Sequence, residues 1–133
     1  MNPRYSVVAP RAGHRCEYCH APEYIFNFPF EVEHVVPEAH HGLDQEQNWA
    51  LACRSCNLNK SDHVTGLDES TGSEVRLYHP RFDIWVDHFL VNAASSEIQG
   101  KTATGRVTVA RLRMNSPAQL EARRVWMRLG LFP

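Results

Sequence analysis

Two Cys-x-x-Cys pairs, Cys16/Cys19 and Cys53/Cys56, enclose the segment Glu33-His34-Val35-Val36-Pro37, and the second pair runs straight into Asn57 and Lys60. Zinc is borderline soft and four-coordinate in structural sites, and a two-residue gap lets both sulfurs of a pair reach one ion. The pairing therefore predicts a tetrahedral structural zinc on Cys16, Cys19, Cys53 and Cys56. A carboxylate, an imidazole and a carboxamide held inside the stapled loop are the groups that bind a hard divalent cation and activate water. Together they point to hydrolysis of a phosphodiester.

The competing reading of the cysteines is a redox dithiol or a framework of crosslinks. In a reducing compartment the short gap within each pair favours metal, and a thioredoxin-like site needs one such motif at a helix start, where this chain has two. Residues 20–52 separate the pairs, more chain than a simple zinc ribbon uses, so the gap must hold something further. His14 and His20 flank the first pair and could replace a cysteine, but four cysteines already fill a tetrahedral shell.

The elements that must position these groups follow from the apolar pattern. Phe26, Phe28 and Phe30 alternate with Asn27 and Pro29, then Val32, Val35 and Val36 lead to Pro37, which predicts a β-strand ending at the proline with His34 near its end. Residues 38–47 lack periodicity and read as a loop closed by Asn48. Trp49 to Ala52 is a brief apolar run suited to return as the antiparallel partner, and Cys53 to Ser61 has room for about two helical turns. Residues 61–74 read as a polar connector. Beyond it, Trp85 to Asn92 and Glu97 to Lys101 suit a hairpin, followed by helices near 104–114 and 116–129. Ser116 caps the last helix, Pro117 fits its first position, Gln119 completes a capping box and Gly130 stops it.

With 133 residues, 43% of them hydrophobic, the chain suits one compact domain or a small core with an added lobe. No apolar run approaches the length that spans a bilayer, and Met1 to Pro10 lacks a basic stretch followed by an apolar block, so a cytoplasmic address and no membrane partner are expected. The formal net charge is −1, without the basic excess common in strong nucleic-acid binders, so affinity for a polyanion must come from local patches. Arg106, Arg111, Arg113, Arg123, Arg124 and Arg128 form one candidate patch, although for any single arginine a solvated helix face is the simpler reading.

From Cys16 to Lys60 the chain resembles the HNH endonucleases, whose pattern is a zinc-bearing Cys-x-x-Cys, an acidic residue and His before Pro, a central Asn, then Cys-x-x-Cys-Asn and a nearby Lys. Here those elements are Cys16-Glu17-Tyr18-Cys19, Glu33-His34-Val35-Val36-Pro37, Asn48, Cys53-Arg54-Ser55-Cys56-Asn57 and Lys60. The stretch from Tyr78 to Trp85 also looks like the tail of a group of small bacterial HNH proteins. The resemblance implies an α+β fold: a ββα-metal core with a four-cysteine zinc over residues 1–62, and an extension over residues 63–133, a β-hairpin and two helices, packed on it. It further implies that His34 accepts a proton from water, which suits an imidazole because its pKa lies near neutrality. Glu33 and Asn57 hold Mg²⁺ or Mn²⁺, Asn48 ties the loop and orients the strand, and Lys60 contacts a phosphate.

Two departures stand out. Glu33 occupies a position where the family often has Asp, and Glu31, two residues back on the same strand face, competes with it as a ligand. Asn57 stands where the third family letter is a His. The resemblance implies a DNA substrate, cut to leave 5′-phosphate and 3′-hydroxyl ends, with a homodimer as a route to double-strand cutting. The alternative is a zinc-stabilised nucleic-acid-binding module without catalysis.

Overall fold

The structure, a computed structural model, describes residues 2–133. Among them the chain forms three two-stranded antiparallel sheets and five α-helices in a mixed α/β arrangement. The first half runs α1 (Tyr5–Arg11), β1 (Glu31–His34), β2 (Trp49–Ala52) and α2 (Arg54–Lys60). In the β1–β2 ladder Glu31 lies opposite Ala52, Glu33 opposite Ala50 and His34 opposite Trp49. Ala50, Leu51 and Ala52 are buried, as an inner strand of small and apolar side chains requires.

β1 is shorter than the alternating phenylalanines predict. Pro29 has no N–H to give a ladder, and the N–H of Phe30 donates to Glu23 at 2.7 Å instead, so the chain reaches Glu31 before pairing begins. Phe26 and Phe28 are consequently left exposed. The loop between the strands is drawn inward at Gly42, where an added Cβ would stand 1.6 Å from the carbonyl oxygen of Val36, so only glycine fits there.

α2 starts on a sulfur rather than a hydroxyl: the Cys53 Sγ accepts the N–H of Cys56, placing the second cysteine pair on the first turn of the helix. The metal motif and the helix cap are the same residues.

The second half holds more structure than the sequence predicts. The stretch read as a polar connector contains a hairpin, β3 (Thr65–Asp68) and β4 (Ser73–Arg76), with the Asp68 carbonyl accepting the N–H groups of Thr71 and Gly72 across its turn. Its few apolar positions hid it, because tertiary packing decides it: Gly66 lies against Val107 of α4 (Ala103–Arg111), and Asp68 pairs with Arg106 from the same helix. The predicted hairpin near 85–101 is shorter than expected, a single turn α3 (Trp85–His88) followed by β5 (Phe89–Val91) and β6 (Ile98–Gly100). α5 (Pro117–Arg128) begins as predicted, with Ser116 Oγ accepting the N–H of Gln119, and Gly130 takes a left-handed φ of 71° just past its end. The reciprocal half of the capping box is missing, since the Ser116 N–H donates to the Arg113 carbonyl at 3.2 Å instead of to the Gln119 side chain.

The apolar cluster runs without a break from Val8 through Leu51 and Phe89 to Phe132. Polar ties cross between the halves as well. Trp85 Nε1 donates to the Tyr18 carbonyl at 2.8 Å, Arg15 to the Leu131 carbonyl at 2.9 Å, and Asn59 to the Leu112 carbonyl at 3.2 Å.

Candidate functional site

All four cysteines are buried, and their sulfurs lie within 4.8 Å of one another. Two ligands each about 2.3 Å from a tetrahedral zinc would stand about 3.8 Å apart; the Cys19 and Cys53 sulfurs stand 3.7 Å apart. Within each pair the backbone N–H of the second cysteine donates to the first sulfur at 3.5 Å, which favours thiolates. Contacts with the other sulfurs drive Cys53 far below the ordinary thiol range and push Cys19 and Cys56 well above it. Crowded this closely, the sulfurs ionise together only around a cation, so the donor set fits zinc.

Arg123 supports that fit. It is fully buried without a carboxylate partner, donating to the carbonyls of Ser96 at 2.9 Å and Met114 at 2.7 Å. Burial lowers its pKa, while the charges of Cys19, Cys56 and Cys53 raise it. A buried guanidinium is costly unless compensated, and thiolates on zinc supply the missing negative charge. Arg123 therefore drops out of the expected surface patch. Arg106 is held by Asp68 and Arg124 by Glu121, which leaves Arg111, Arg113 and Arg128 exposed.

Successive residues of a strand face opposite ways, so Glu31 and Glu33 share the face of β1 that looks toward α2, and His34 shares the other with Trp49. The Glu33 carboxylate is buried between the Tyr18 hydroxyl, which donates to it, and the Lys60 ammonium at 3.1 Å. Burial raises the Glu33 pKa, against the opposing pull of Lys60 and Tyr18. Buried in the fold beside the Lys60 ammonium, Glu33 is closed to a hydrated divalent ion in a way that the partly exposed Glu31 is not.

Lys60 is placed differently from the expectation as well. It is 1% exposed and also donates to the Val35 carbonyl at 2.8 Å, so its ammonium is spent inside the fold and not offered to a phosphate. Its spacing from Asn57 put it on the correct helical face; what lay under that face was Glu33.

Asn57 meets Glu31, not Glu33: its amide nitrogen donates to one Glu31 oxygen, while Arg54 reaches the other at 3.1 Å. Glu31 is partly exposed, and a carboxylate beside a carboxamide is the kind of oxygen-donor pair a hydrated hard cation takes. Asn48 is buried and braces the loop, its carboxamide accepting from Val36 N and donating to the carbonyls of Val36 and Leu43, each at 2.8 Å.

The His34 ring is held elsewhere. Its Nε2 stands 3.0 Å from Asp44 Oδ1, which also accepts Trp49 Nε1–H at 2.9 Å, while Asp44 Oδ2 accepts from Arg4 at 2.6 Å. Reading the sequence missed Asp44, Arg4 and Tyr18. Asp44 sits in an aperiodic loop, and nothing in its spacing links it to His34; for Glu31 the signal was strand alternation. Beside the His34 strand a cleft of about 570 Å³ opens toward the second half, walled by Val35, Val36, Leu77 and Tyr78, with the exposed Phe82 on its edge.

Residues 16–63 match the family model described as HNH endonuclease, which spans the thiol cluster, β1, β2 and α2. Nuclease-type activity is what that family suggests. No curated protein and no solved structure matches the chain. No helix among the described residues is long and apolar enough to cross a membrane.

Proposed function

We propose that this chain is a metal-dependent HNH endonuclease that hydrolyses DNA phosphodiester bonds. The observation that carries the reading is the coincidence of the HNH match over residues 16–63 with a zinc-type thiol cluster and a strand, strand, helix unit that presents an accessible His34. The order corresponds to a ββα-metal core. His34 takes a proton from water as the water oxygen attacks phosphorus; the bond to the 3′ oxygen breaks, and that oxygen is protonated from solvent, leaving 5′-phosphate and 3′-hydroxyl ends. Glu31 and Asn57 would hold Mg²⁺ or Mn²⁺, which supplies positive charge to the phosphate and the leaving oxygen. Asn48 keeps the loop in register behind His34. Two cuts on a duplex need two such sites, for which a homodimer is the simplest arrangement.

A second reading, a zinc-stabilised nucleic-acid-binding module, draws on one observation: His34 and the Glu31–Asn57 pair lie on opposite faces of β1. Conversion of supercoiled plasmid separates the two. With Mg²⁺ or Mn²⁺ the wild type is expected to nick, and His34→Ala to lose at least about 100-fold in rate, the usual scale for a general base. Equal cutting by both proteins would remove His34 from the chemistry, and binding without cutting would favour the module.

A further inference from the structure

We propose that Asp44 is the positioning residue for His34: its carboxylate fixes the Nε2–H tautomer of the imidazole and leaves Nδ1 as the atom that takes the proton. The catalytic part of this inference rests on the hydrolytic reading above. Three parts of the chain converge on the Asp44 carboxylate. Trp49, opposite His34 in the β1–β2 register, gives Oδ1 an indole N–H at 2.9 Å, and the same oxygen faces His34 Nε2 at 3.0 Å. Arg4, at the head of α1, takes Oδ2 at 2.6 Å and lies 5.4 Å over the Trp49 ring.

The donor inventory settles the tautomer. Arg4 first, then His34 and Trp49, hold the Asp44 carboxyl well below the usual carboxylate range, so it is ionised and can only accept. The imidazole nitrogen facing it must therefore carry a hydrogen, and in the neutral ring the lone pair is then at Nδ1. Nδ1 has no hydrogen-bond partner among the described residues, and the His34 side chain is 37% exposed, open to water and substrate. A carboxylate serving only as an ion-pair partner for Arg4 would need neither the indole nor the imidazole. The Trp49 N–H sets the carboxylate plane, and that plane sets the ring.

In the proposed step the proton leaves water for Nδ1 while Nε2–H stays on Asp44, so the imidazolium that forms faces an ionised carboxylate. The proton then returns to solvent, and no group changes oxidation state. Asp44 touches no reacting atom; it acts through His34 by holding the correct nitrogen forward.

Nitrogen-15 correlation spectra of the zinc-loaded protein, taken at about pH 8 where an ordinary imidazole is neutral, read the tautomer directly. The wild type should show His34 in the Nε2–H form. Asp44→Asn can turn an amide N–H toward the ring, so it should shift His34 toward Nδ1–H and lower kcat roughly 10²- to 10⁴-fold, the scale of a general base given the wrong tautomer. KM, zinc content and circular dichroism should stay as in the wild type, and Asp44→Glu should recover part of kcat. A wild-type ring in the Nδ1–H form overturns the proposal, whether or not the variant folds. So does an Asp44→Asn protein that keeps both the Nε2–H signal and full turnover. A wild type with the Nε2–H form that cuts nothing would retire the hydrolytic reading and the catalytic use of the pair, while supporting the assignment of Asp44 as the residue that sets the ring.

Discussion

The thiol cluster and the edge around His34 lie within one short segment of chain, yet they are built on opposite plans. The cluster takes four identical donors from two local pairs, buries all of them and ties each pair with its own N–H···S contact. The edge takes one side chain each from the head of α1, the loop, β1 and β2, and leaves most of them open to solvent. A closed site repays its assembly with folding energy; an open one keeps room for a substrate. The same segment therefore contains the part of the molecule least able to change and the part free to react.

The strongest way to break that contrast is at the cluster. Cys53→Ser removes a zinc ligand while leaving a hydroxyl able to cap α2, and a structural zinc is worth on the order of 10 kcal/mol to a small fold. The variant is expected to lose zinc and cooperative unfolding, read by metal analysis and thermal melting. A variant that binds zinc and melts like the wild type would mean that the cluster is not structural.

Next comes the buried pair beneath the edge. Lys60→Met leaves Glu33 in the interior beside Tyr18 without its counter-charge, and breaking such a pair costs about 3–5 kcal/mol. Denaturant titration should show that loss, whereas His34→Ala, on the exposed side of the same strand, should move stability by less than about 0.5 kcal/mol. If Lys60→Met were neutral for stability and weakened DNA binding instead, the original expectation of a phosphate contact would stand and the buried placement would fall.

The smallest effect concerns acid. Asp68 is buried on Arg106, which holds its pKa down to about 2. A depressed carboxylate contributes stability that is complete above its ordinary value near 4 and is lost as the pH falls toward 2. Asp68→Asn should therefore be less stable than the wild type at neutral pH, with the gap narrowing as pH drops through that window. The difference between the two proteins isolates this pair from acid release of zinc. A constant gap would show that Arg106 does not set the Asp68 titration.

Much of the first half, and the start of α5, was legible from residue order because the signals there are local. A two-residue gap commits two sulfurs to one ion, Pro37 ends the strand segment, and Ser116 with Pro117 opens a helix whatever lies around it. The β3–β4 hairpin was not legible, since its strands are held by Val107 and Arg106 from a helix more than thirty residues on. Arg123 misled for the same reason: an arginine on a helix reads as solvated until its surroundings turn out to be carbonyl oxygens and sulfurs.

Sequence alone determined which candidate groups this protein could bring to metal and proton chemistry, because ligand type and local spacing are properties of the chain. Tertiary structure decided how they are shared out: Asn57 to Glu31, Glu33 to Lys60 and Tyr18, His34 to Asp44. A strand's alternation offers each side chain only a face, and which partner waits there depends on segments that arrive from elsewhere in the fold.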